Sequence, residues 1–160
     1  MAVEVSACTL QAPDPPDFGA RLEGGEVVIS YPRCPSEEVV GATVYVSSEG
    51  EGQADGVDDF FETKWSARRP ASAEVRDGVF FIGSARSFTD VEKPLVGRLP
   101  DEFFVDAQVV VDGHAEDARD SPIDLAEVRG AQLADDEYVT WEGKVMTRDQ
   151  IDAQRKCGVT

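Results

Sequence analysis

Phe18-Gly19-Ala20-Arg21-Leu22-Glu23-Gly24-Gly25-Glu26-Val27-Val28-Ile29-Ser30-Tyr31 reads as a β-hairpin. Phe18, Ala20 and Leu22 alternate with Gly19, Arg21 and Glu23, and Val27, Ile29 and Tyr31 share one face of the returning strand. Between them, Gly24-Gly25 can adopt the two positive φ angles that a type I′ turn demands. Pro32 and Pro35 then end the ladder, because neither donates an N–H.

The same rhythm continues outward. Val39 to Ser47 is β-rich, with Val40, Ala42, Val44 and Val46 assigned to one face. Phe60 to Ala67, around Trp65, is a further strand. Ser72 to Arg76, Asp77-Gly78 and Val79 to Gly83 form a second expected hairpin, and Ser84 to Asp101, with Pro94 and Pro100, is irregular. In Glu102 to Asp112, Phe103, Val105, Ala107, Val109 and Val111 alternate, while Phe104 and Val110 imply partial burial of the other face. Ile123 to Val128 is a weaker strand, and Glu142-Gly143 turns a third hairpin between Glu137–Trp141 and Lys144–Met146. A terminal helix is the best specified. Thr147 is its N-cap, Gln150 completes a capping box, and Met146 with Ile151 suits a hydrophobic staple. Arg155 and Lys156 suit its last turn and Gly158 its stop.

Short strands, glycine turns and no βαβ rhythm imply an all-β antiparallel β-sandwich with one short C-terminal α-helix. The architecture resembles immunoglobulin, fibronectin-III or jelly-roll sandwiches. Cys34 lies far from Trp65, so the antibody-type Cys…Trp…Cys spacing is missing and the likeness carries no function. Residues 1–17 read as an N-terminal extension or tether and 18–160 as a single domain. Glu49 to Asp59 and Gly113 to Pro122 read as polar, acidic loops.

Acids outnumber bases 32 to 15, giving formal charge −17 on 160 residues. Such a surface repels phosphate, which excludes ordinary nucleic-acid binding, and it disfavours anionic membranes. It attracts basic proteins in a salt-dependent way. The chain has no Asn and only four Lys against eleven Arg, which fits a GC-rich coding sequence of bacterial, phage or haloarchaeal type. Salt adaptation alone would also account for the acidity. The longest apolar pieces, such as Val79-Phe80-Phe81-Ile82, are too short to span a bilayer.

Three cysteines, Cys8, Cys34 and Cys157, leave an odd thiol if a pair forms. Cys34–Cys157 is the favoured disulfide, contributing about 4–5 kcal/mol in the chain-entropy picture. The alternative is three reduced thiols in a cytosolic protein. Val5-Ser6-Ala7-Cys8 resembles the lipobox of bacterial lipoproteins, which implies lipidation at Cys8, with Pro13, Pro15 and Pro16 as a stiff tether. Only seven residues precede Cys8, Glu4 interrupts them and no basic start is present. Extracytoplasmic and cytoplasmic locations stand equally open.

Catalytic constellations are sparse. His114 is the single histidine, and Ser84, Ser87 and Ser121 sit in no nucleophile elbow. Phe60, Phe61 and Trp65 beside Asp58, Asp59 and Glu62 form the nearest candidate for a carboxylate-based hydrolase, whose mark is an acid of raised pKa in an aromatic cleft. Calcium is considered at Asp55, Asp58 and Asp59, or at Asp112, Glu116, Asp117 and Asp120. An EF-hand alignment around Gly56 puts Glu51, Gln53, Asp55 and Glu62 at ligand positions and fits poorly. Zinc and nucleotide sites have no support, and no cofactor is expected. The leading expectation is a non-catalytic protein-binding module of inhibitor, immunity or assembly-subunit type. Its acidic loops, Glu49, Glu51, Asp55, Asp58 and Asp59 with Asp112, Glu116, Asp117 and Asp120, would meet a basic protein surface. The alternative is a secreted or lipid-tethered surface domain, followed by a carboxylate-based hydrolase.

Overall fold

The computed structural model of the chain describes residues 15–47 and 61–157. In chain order its strands are β1 (Gly19–Glu23), β2 (Glu26–Ser30), β3 (Glu37–Ser47), β4 (Phe61–Pro70), β5 (Val79–Phe81), β6 (Phe88–Lys93), β7 (Glu102–Val111), β8 (His114–Ala115), β9 (Arg119–Asp124), β10 (Glu137–Val139) and β11 (Val145–Thr147). Among the described residues three short helices, α1 (Ala73–Arg76), α2 (Leu125–Gly130) and α3 (Arg148–Ala153), accompany them. One sheet runs β11-β10-β1-β2-β5 and the other β6-β4-β3-β7-β8, with β9 also on β7. The pairings are antiparallel. This is the expected all-β sandwich with a short C-terminal helix.

The opening hairpin forms as read. Gly24 and Gly25 have φ of 60° and 83°, and Ala20 faces Ile29 across the pair. Phe18, Ile29, Tyr31, Trp65, Phe80 and Phe103 fill the space between the sheets. Val28 is buried as well, although it points the other way, because the first sheet has a second cover. Ile151 of α3 packs there with Val28, Val79 and Tyr138. Gly19 makes the approach possible: a Cβ at that position would lie 2.3 Å from Ile151 Cδ1. The helix carries the predicted capping box, with Thr147 and Gln150 exchanging side-chain bonds to each other's N–H.

Five readings change, the first being that Ser84 to Asp101, expected to be irregular, contains β6, which pairs with β4. A register shift between Val39 and Gly41 bulges β3, so Val39, Ala42 and Val44 are buried and Val40 falls out of phase. Ser72 to Arg76 is not a hairpin arm. Ser72 caps α1 by accepting from Val75 N at 3.4 Å, and β5 pairs with β2 instead. The Asp-Gly pair that does turn a hairpin is Asp112-Gly113, with φ of 50° and 79°, and it converts part of the expected loop into β8. Finally, the weak strand at Ile123–Val128 stops at Asp124, whose carboxylate accepts from Ala126 N and Glu127 N and so starts α2.

Candidate binding face

The second sheet turns one face to the core and the other outward. In β7, Phe103, Val105, Ala107 and Val109 point in, which leaves Phe104, Asp106 and Gln108 outward. Registers with β3 and β9 align two outward rows: Thr43, Asp106 and Asp120 in one, and Tyr45, Phe104 and Pro122 in the next. Gln108 folds over Gly41, where a Cβ would meet its Oε1 at 2.2 Å, and its Nε2 donates to Thr43 Oγ1 at 3.1 Å. The sheet surface is thus polar on one side of Asp106 and aromatic on the other.

Tyr45 stacks on Phe104 with ring centroids 5.2 Å apart, and Phe61 meets Tyr45 edge-on at the same separation. The Tyr45 hydroxyl donates to Asp120 Oδ2. Burial, with the Asp120 contact second, pushes that phenol above its ordinary range. Asp106 has no such donor: its Oδ1 is buried without a hydrogen-bond partner. Burial first, and the Asp120 charge second, raise its carboxyl to about 6. Two carboxyls therefore face one another with no cation between them among the described residues.

The predicted acids separate in space. Asp112 sits in the exposed β7–β8 turn. Glu116 and Asp117 line a cleft of about 510 Å³ beside Arg119, Arg155 and the disulfide. Only Asp120 reaches the outer face of the sheet. Asp112, Glu116, Asp117 and Asp120 accordingly do not converge on a calcium ion, and the described residues hold no cluster of three or more such ligands. Glu49, Glu51, Asp55, Asp58 and Asp59 lie outside the described residues, as do Gln53 and Gly56 of the EF-hand alignment, Phe60, the Val5–Cys8 resemblance and Gly158, whereas Glu62 of that alignment is in β4.

Cys34 and Cys157 are joined by the favoured disulfide, with Cα atoms 5.4 Å apart. The bond sets Arg155 beside Glu37, whose side chain is only 6% exposed. Glu37 accepts from Arg155 at 2.6 Å, from Cys34 N at 2.9 Å and from Tyr31 Oη at 3.3 Å. Arg155 thus leaves its expected role at the α3 terminus for an ion pair across the molecule. Burial, with the Glu37 charge second, pushes the Tyr31 phenol up to about 12.

The catalytic candidates take up separate positions among the described residues. His114 is exposed on β8, whereas Ser121 Oγ accepts from Phe18 N and Ser87 Oγ from Phe81 N. Trp65 is core, Phe61 and Glu62 are exposed, and Asp58, Asp59 and Phe60 lie outside the described residues. The raised acid a hydrolase needs exists in Asp106, which the sequence reading missed. It stands on the open face and lines neither the disulfide cleft nor the groove at Trp141. An Asp inside the strongest strand pattern was the available signal, since strands are depleted in Asp. Compared with known proteins, the chain matches no family model, no curated protein and no solved structure.

Proposed function

We propose that this chain is a non-catalytic binding module whose outer β7–β9 face receives a basic protein surface. The observation that carries the reading is the Asp106–Asp120 pair, an acid without a donor opposed to a second acid on an open sheet face. Repulsion and desolvation make that arrangement costly in the free protein; an incoming Lys or Arg cancels the repulsion and offsets the desolvation with its own charge. The formal charge of −17 adds long-range attraction. A lysine-only peptide of about twelve residues serves as the test ligand, with anisotropy read at low and high salt. Asp106→Asn with Asp120→Asn should weaken binding about tenfold at low salt, as two desolvated contacts imply. Unchanged affinity in that double variant rejects the assignment of the face.

A second reading, an extracytoplasmic surface domain, draws support from the disulfide, since such bonds persist in oxidising compartments. Thiol counting under denaturing conditions on protein from its natural compartment separates the two locations. Three free thiols would remove this reading.

A further inference from the structure

The aromatic row on the outer face does not end at Phe104. Beyond it lies a groove of about 580 Å³ lined by Val46, Phe104, Pro122 and Trp141, with Glu102 at its wall. Trp141 arrives from the turn after β10, in the first sheet, and the other walls belong to the second, so the groove bridges the sandwich at one end. Trp141 is 38% exposed and Phe61, at the far end of the row, 60%. Phe61, Tyr45, Phe104 and the groove form one continuous apolar track through the two ring contacts. Exposed large apolar groups gathered in one track mark contact surfaces, whereas scattered ones do not.

Charge says what the track suits. Asp120 accepts from Tyr45, which itself stacks on the groove wall, and Asp106 sits one row away. Glu102 lies in the groove itself. Acids beside an apolar slot, on a chain this negative, complement a ligand that is apolar at one point and cationic around it.

We propose that the Trp141 groove is an anchor pocket for one large apolar side chain of the basic partner, which binds as a segment carrying Lys or Arg on both sides of that residue. The proposal rests on the basic-partner reading and adds the anchor. Such an anchor in a preformed slot carries much of the energy of an interface, while rim charges govern steering.

Two peptides of equal length and charge test it, one with a central Leu among lysines and one with Ser there. Trp65, the only other tryptophan, is 1% exposed, so a change in tryptophan emission reports on Trp141. The Leu peptide should bind about tenfold more tightly and shift the emission to the blue, the gain expected from burying one such side chain. Trp141→Ala should erase the difference between the peptides while the Ser peptide keeps its salt-sensitive affinity. Phe104→Ala repeats the test from the opposite wall. Equal affinities in the parent chain, or a Leu gain that survives both substitutions, overturn the anchor and leave the basic-partner reading standing. If neither peptide binds, that reading falls too. Self-association abolished by Trp141→Ala would make a second copy the occupant, and tighter Leu-peptide binding on removal of residues 49–59 would make it the chain's own segment; either result overturns the proposal.

Discussion

Glu37 at the start of β3 and Asp106 in the middle of β7 are acids of the same sheet set in opposite circumstances. Glu37 is the more deeply buried, yet Arg155, Tyr31 and the Cys34 N–H satisfy it. Asp106 is nearer to water, yet it has no donor on its buried oxygen and faces a like charge. Depth alone does not make an acid costly; the absence of a partner does. Glu37 therefore reads as part of the frame and Asp106 as a group waiting for a cation from outside.

That contrast breaks first at Glu37. Glu37→Ala strands the Arg155 guanidinium and should lower stability by about 4 kcal/mol, seen as a fall in the urea midpoint. A loss below about 1 kcal/mol would mean that the buried pair is not holding the C-terminal segment to the sheet. Next in size, Cys34→Ser with Cys157→Ser should cost about 3 kcal/mol, below the chain-entropy value because the reduced unfolded chain retains structure, and raise hydrogen exchange in α3. If exchange in α3 is unchanged, the Ile151 contact against Gly19 is enough to hold the helix.

Asp106 should respond with the opposite sign. Its carboxyl is raised, so the folded chain holds that proton more tightly than the unfolded chain does. The resulting stabilisation is complete below the ordinary carboxylate range, near 4, and is lost as pH rises through about 6. Asp106→Asn should therefore stabilise at pH 7 by about 1 kcal/mol after allowance for solvent screening on this open face, and change little near pH 4. Thermal melts at the two pH values measure it, and a loss at pH 7 would place Asp106 with Glu37 among the framing acids. Tyr31 carries a raised pKa into the alkaline range. With its phenol at about 12, stability should fall further as pH rises from about 10 to 12, where only the unfolded chain ionises fully.

What the residues disclose on their own follows the range of the forces involved. The Gly24-Gly25 hairpin and the Thr147–Gln150 capping box were legible because each closes within a few residues. The two Asp-Gly pairs show where local signals stop. Asp77-Gly78 follows Ser72, which caps a helical turn, whereas Asp112-Gly113 sits after a full strand and becomes the hairpin. The Cys34–Cys157 bond was also foreseen, since Cys34 follows the hairpin's second strand and Cys157 ends the expected terminal helix. Glu37 and Asp106 were not foreseen as a pair of contrasting sites. Their partners lie 118 positions away in one case and across a β7–β9 register in the other, and neither distance leaves a trace in a local pattern. The acidic loop 112–120 was right in charge and wrong in shape, because β8 and β9 distribute its acids to a turn, a cleft and the outer face.

The most direct measurement is a carbon-detected titration of the Asp106 carboxyl, free and with saturating lysine peptide. The contrast between the two acids requires a midpoint near pH 6 in the free chain, falling by about one unit or more once a cation neutralises the pair. A free midpoint near 4, or one that the peptide leaves in place, contradicts it.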